Sequence, residues 1–186
     1  MYKNSLRSET LIKEAVVSLL SEKKDLNKIT VSEIVEKAGI NRGTFYNHYS
    51  DIKDVLNQIE DEIMARLIQK WKSSNNEEGL CFENFIRALT DTFIEKEDVC
   101  KKIIKNVPHY VFDDLKRKVG EVFADSASFR AMRKEERALI SFISNGISGA
   151  YLDYFLDRSE FTLREIEQYS VALVRIVFHE RMLLSH

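Results

Sequence analysis

Apolar residues in the opening stretch recur at Ile12, Ala15, Val16, Leu19 and Leu20. This i, i+3, i+4, i+7, i+8 spacing is one stripe of an amphipathic helix running from about Ser5 to Ser21. The polar link Glu22 to Lys28 ends it. Thr30 with Glu33 three residues on reads as a capping box, and Val31, Ile34, Val35 and Ala38 give the next helix a buried face to about Lys37. Gly39 falls where a left-handed residue would close that helix, Ile40 can plug the corner, and Asn41 can cap a third helix from Arg42 to Tyr49. A helix, a short turn containing Gly and a second short helix make a helix-turn-helix. Phe45 and Tyr49, four apart, would point inward. Arg42, Gly43, Thr44, Tyr46, Asn47 and His48 would then occupy the outer face, with side chains able to hydrogen-bond phosphates or base edges and Gly43 permitting close backbone approach.

Beyond this unit the helical period continues. Ser50 and Asp51 can cap a helix from Ile52 to about Trp71, whose stripe is Val55, Leu56, Ile59, Ile63, Leu67 and Trp71. KSSNNEEG, Lys72 to Gly79, is the most loop-like stretch. Further helices are expected at about 81–94, 97–106, 110–124, 134–156 and 162–184, with Pro108 and residues 125–128 as boundaries and Thr162 with Glu165 as a second capping box. The expected fold is all-α, about nine helices, divided into a three-helix unit at residues 1–50 and a larger helical part at 51–186. The final helix is apolar nearly all round from Val171 to Phe178, so it must bury two sides. The preceding helix has the same excess, and Gly146 and Gly149 would admit another helix closely. Two such helices most simply form a two-fold, four-helix dimer interface, with Val174 among the expected interface positions.

Composition narrows the function. Net charge is −2 over 186 residues, which argues against a uniformly basic nucleic-acid coat. Residues 1–53 nevertheless hold nine Lys/Arg against seven Asp/Glu, so the small basic excess sits with the helix-turn-helix. Cys81 and Cys100 lie far apart without a CxxC spacing, so neither a zinc site nor a disulfide framework is indicated, and a reducing compartment, the cytoplasm, is expected. The N-terminus lacks an apolar signal-peptide segment, and charges such as Arg175 break the apolar runs, so no membrane span is expected. His48, His109, His179 and His186 lack metal-ligand spacing. No nucleophile motif, phosphate loop or paired carboxylates are visible; no catalytic residue, metal or cofactor is expected. The aromatics of the larger part, among them Phe85, Phe93, Tyr151 and Phe155, could line an apolar effector cavity with Cys100, Asn106 or His109 as polar contacts, although ordinary core packing explains each of them singly.

Thr30, Ile34, Ala38, Gly39, Ile40, Gly43, Thr44, Phe45, Tyr46, His48, Tyr49 and Leu56, in this order and spacing, resemble the TetR family of bacterial transcriptional regulators. The resemblance is specific over residues 5 to about 60; beyond that, only helix number, order and length agree. It implies a homodimer that presents its third helix to the major groove of double-stranded operator DNA, pairs through the last two helices, and binds a small-molecule effector in its C-terminal part. It further implies that Thr44, Tyr46 and His48 contact phosphates or bases, that Arg42 stands at a base-reading position, and that Ser32 is the residue of the second helix that reaches DNA. Asn47 occupies an outward position that varies in kind across the family. The family's phosphate-contacting lysine has Ile52 at its position here, and the lysine of this chain, Lys53, stands one residue later. The expected activity is transcriptional repression relieved by effector. The rival is a protein-interaction adaptor or coactivator on the same scaffold, and DNA binding with a clear salt slope separates the two.

Overall fold

The computed structural model describes residues 2–74, 82–107, 117–121, 130 and 132–183, and its described residues contain helices and no strand. The helices are α1 (Tyr2–Lys23), α2 (Val31–Ala38), α3 (Arg42–Tyr46), α4 (Ile52–Ser73), α5 (Phe82–Glu95), α6 (Glu97–Asn106), α7 (Lys134–Phe155) and α8 (Leu163–Leu183), with a 3-10 turn at Leu26–Lys28. Residues 117–121 are also helical. The rest of the helix expected at 110–124, the loop at 75–79, Cys81, Pro108, His109 and the boundary at 125–128 lie outside the described residues, as does His186.

Local chemistry sets the boundaries. The Thr30 N–H donates to Glu33 Oε2 at 3.0 Å while Glu33 N–H donates to Thr30 Oγ1 at 3.4 Å, completing the capping box of α2. Gly39 takes φ 66, ψ 33 and donates to Glu36 O at 3.2 Å, and Ile40 donates to Val35 O at 3.0 Å. A side chain at such positive φ is disfavoured, which is why the chain turns on glycine here. Asn41 Oδ1 then accepts the Thr44 N–H at 2.7 Å to start α3. That helix is shorter than its spacing predicts. Asn47 N–H still reaches Gly43 O, but His48 N–H bonds back only three residues to Phe45 O at 3.0 Å, so the last turn tightens after Tyr46 and residues 47–49 leave the α-helix. Asp51 caps α4 through the Asp54 N–H at 2.9 Å.

Two cores result. Ile12, Val16 and Leu20 of α1, Ile34 of α2, Phe45 of α3, Val55, Leu56 and Ile59 of α4, and Ile103 of α6 form the first. The second gathers Met64, Leu67 and Trp71 of α4 with Leu89 and Phe93 of α5, Cys100 and Ile104 of α6, Tyr151 and Phe155 of α7, and Leu163 and Ile166 of α8. Helices α4 and α6 therefore contribute to both. A small third cluster joins Ile86 of α5 to Val171 and Val174 of α8. This corrects the expectation for Val174: it is buried within the subunit, and the outward apolar positions of α7 and α8 are Leu139, Phe142, Leu173 and Ile176. A Cβ added at Gly146 or Gly149 would meet nothing within 4 Å, so neither glycine is needed for packing inside the subunit. Among the described residues, no helix is long and apolar enough to cross a membrane.

Candidate nucleic-acid interface

Phe45 is fully buried and Tyr49 nearly so, with ring centroids 5.9 Å apart. These two rings clamp α3 onto the first core and fix which residues face outward. Arg42, Gly43, Tyr46 and Asn47 are exposed, Thr44 and His48 partly so, and Ser32 projects from the exposed side of α2. Tyr46, 58% exposed, stands with its ring edge-on to Phe45 at 5.4 Å, so a large amphipathic side chain is held upright on a buried base. Six of the eight expected DNA contacts thus share one surface around α3, with Ser32 beside them. Lys53, exposed at the start of α4, is the eighth, while the neighbouring Ile52 packs on the first core.

Three contacts refine the chemistry of this surface. The Arg42 guanidinium donates through Nη2 to Ser32 Oγ, tying the start of α3 to α2. Thr44 Oγ1 donates to Asn41 Oδ1 at 3.1 Å, so its hydroxyl must rotate to donate to a phosphate. His48 does not point freely outward as spacing predicts: its side chain is 14% exposed and Nδ1 lies 3.3 Å from Glu9 Oε1 of α1. The ring therefore ties the turn after α3 to α1 through Nδ1, with Nε2 on its other side. Glu9 escaped the sequence reading, although it carried a signal. It lies three residues before Ile12 and seven before Val16, in line with the buried stripe, where a carboxylate requires a polar partner from another element.

The neighbourhood of Tyr49 holds a further polar group. Its phenol oxygen is buried without a hydrogen-bond partner among the described residues. Burial, together with Glu9, Glu62 and Asp54, pushes its pKa well above the ordinary tyrosine value, so it stays a neutral phenol.

Several of the residues considered for an effector cavity make contacts within the subunit. Burial pushes the Cys100 thiol up to about 12, leaving it an unreactive core group. Asn106 Nδ2 donates to Lys102 O at 2.6 Å within its own helix. Phe93, Tyr151 and Phe155 pack ring on ring at 5.0–5.3 Å, and Trp71 meets Phe85 edge-on at 5.3 Å. A groove of about 850 Å³ instead opens between α1, α4 and α6, where Leu6, Val17, Ile59, Ile63 and Val99 alternate with charges of both signs. Among the described residues, no group of three or more His, Cys, Asp or Glu could hold a metal ion.

A recognition-type helix clamped on a three-helix core, with its polar face exposed, defines a helix-turn-helix unit. Residues 14–59 match the family described as bacterial regulatory proteins, tetR family. The chain is similar to the uncharacterized HTH-type transcriptional regulator YxbF of Bacillus subtilis (strain 168), 34% identical over 63 residues, a stretch that covers 34% of this chain and 17% of that relative. Its fold is similar to the crystal structure of a TetR transcriptional regulator from Streptococcus agalactiae 2603V, with a TM-score of 0.57 and 18% identity over 92% of this chain and 96% of that one. The likeness to the tetR family is carried by the helix-turn-helix unit at residues 14–59, and the chain spans 17% of the length of the curated relative it matches.

Proposed function

We propose that this chain is a homodimeric transcriptional repressor that reads a palindromic operator and releases it when a small-molecule effector binds in its C-terminal part. The observation that carries the reading is the polar face of α3, held outward by the buried pair Phe45 and Tyr49. On it Arg42 is the base reader, Tyr46, Thr44 and the Nε2 of His48 are phosphate or base contacts, Asn47 is a further outward contact, and Gly43 lets the backbone approach. Ser32 of α2 borders this surface and accepts from Arg42, and Lys53 supplies the phosphate contact at the start of α4. The apolar outer positions of α7 and α8 support pairing of two subunits, which would set two such faces about one helical turn of DNA apart, roughly 34–36 Å. Effector binding would favour a dimer with the wrong spacing and so lower operator affinity by population shift. Both α4 and α6 reach from one core to the other, and both are assigned to transmit that change.

A mobility-shift titration on genomic fragments at several salt concentrations tests the reading. At least one fragment is expected to bind well above competitor DNA, with affinity falling steeply as salt rises. Arg42→Ala is expected to remove about 1–3 kcal/mol of discrimination at one base pair of each half-site. Tyr46→Ala is expected to weaken every sequence alike. If no fragment outcompetes bulk DNA, the chain is not an operator-binding protein.

A further inference from the structure

We propose that Ser32 acts on sequence recognition through Arg42, as a positioning residue that holds the guanidinium in its reading pose, and not as an independent DNA contact. This rests on the assignment of Arg42 as the base reader. Arg42 is the first residue of a five-residue helix and is exposed, so nothing in α3 itself restrains its long side chain. A free arginine there would sample many rotamers and lose that freedom on docking. The restraint comes from α2, where Ser32 Oγ accepts from Nη2.

The anchor consumes little of what Arg42 needs. A guanidinium carries five N–H donors in a rigid plane, and one bond to serine leaves four, whereas paired recognition of guanine O6 and N7 takes two. Fixing one corner of a planar group through a second helix restricts the directions in which its remaining donors point. Position and orientation of the fork are then set before DNA arrives, which lowers the ordering cost of binding. The serine is suited to this role by its own placement. It lies one residue after Val31, which packs against the first core, and inside the capped Thr30–Glu33 turn, so its Cα is fixed by that turn. Serine is also short, and its oxygen meets Arg42 without extending past it.

The test is a double-mutant cycle read on two DNA sites. Selection from a randomised operator pool with the wild type and with Arg42→Ala identifies the base pair that Arg42 reads, and the second site differs from the first at that pair alone. Ser32→Ala is expected to weaken the selected site about three- to tenfold, the ordering cost of one long side chain, while leaving the altered site unchanged. In the Arg42→Ala background, Ser32→Ala is expected to have no effect on either site, and Ser32→Thr, which keeps the hydroxyl, is expected to retain wild-type discrimination. An equal loss from Ser32→Ala with and without Arg42, or an equal loss on both sites, would overturn the proposal by showing an independent contact. If the wild type selects no site from the pool, the repressor reading falls and this proposal with it. If it does select one, the cycle judges Ser32 by itself.

Discussion

Two buried tyrosines show how much a single oxygen atom decides. Tyr49 places its ring against Phe45 but leaves its hydroxyl without a partner among the described residues, facing the carboxylates of Glu9, Glu62 and Asp54. Tyr151, equally buried, is hydrogen-bonded to Thr90 Oγ1 at 2.6 Å. An unpaired buried hydroxyl costs about 1–3 kcal/mol, whereas a satisfied one contributes about 1 kcal/mol. Tyr49→Phe is therefore expected to raise stability by about 1 kcal/mol, and Tyr151→Phe to lower it by a similar amount. Chemical denaturation of both variants checks this, and a fall in stability for Tyr49→Phe would contradict the account. The ring positions were legible in the sequence, because Phe45 and Tyr49 stand four apart, and the Tyr49 N–H still bonds to Phe45 O at 3.0 Å although the helix has ended. The fate of the hydroxyl was not, since it depends on where α1 and α4 bring their carboxylates. His48 differs from its expected outward position for the same reason: spacing fixes a direction on the helix, and only tertiary packing supplies Glu9.

Among the elements, α6 and the end of α7 are joined by a polar latch. Asp157, at φ 55 just beyond α7, lies 3.3 Å from Lys101 Nζ and pairs with Lys105. Tyr154 donates to Glu97, and Lys101 stands over the Tyr154 ring at 5.3 Å. Hydrogen bonds from Lys105 and Lys101 hold the Asp157 carboxyl below the usual aspartate range. A carboxylate with a lowered folded pKa stabilises the fold above its unfolded value and loses that contribution as pH falls through the folded one. Asp157→Asn is therefore expected to be less stable than the wild type at pH 7 and to converge on it below about pH 4. Urea melts at pH 7 and pH 3 measure this; a gap of constant size would mean that the charge is not the cause. Helix limits were largely legible, because capping boxes, Gly39 and Asp51 are local signals. The latch was not, as it joins residues more than fifty positions apart. Nor could the sequence divide the faces of α8: a helix apolar all round leaves Val174 and Leu173 indistinguishable until α5 covers one of them.

At the scale of the whole molecule, Leu139 and Phe142 of α7 and Leu173 and Ile176 of α8 are all exposed, and Phe142 reaches 76%. Exposed apolar side chains on these two helices support the subunit pairing proposed above. Phe142→Glu is expected to yield a folded monomer with weakened operator binding, whereas Val174→Glu, a core change, is expected to unfold the subunit. Light scattering beside circular dichroism separates these outcomes, and a Phe142→Glu protein that keeps a dimer mass would place the interface elsewhere. At this scale the all-α class and the order of helices were legible from periodicity, which survives even where identity to a structural neighbour is 18%. The sharing of cores was hidden, because Ile103 follows the same stripe as Cys100 and Ile104 yet packs with α1 while they pack with α7. That one isoleucine constrains anyone who would transplant the reading head. A chimera joined near residue 50 leaves behind a socket shaped for a side chain fifty residues downstream, so a working graft must carry α6 with its donor or recut the socket to match the host.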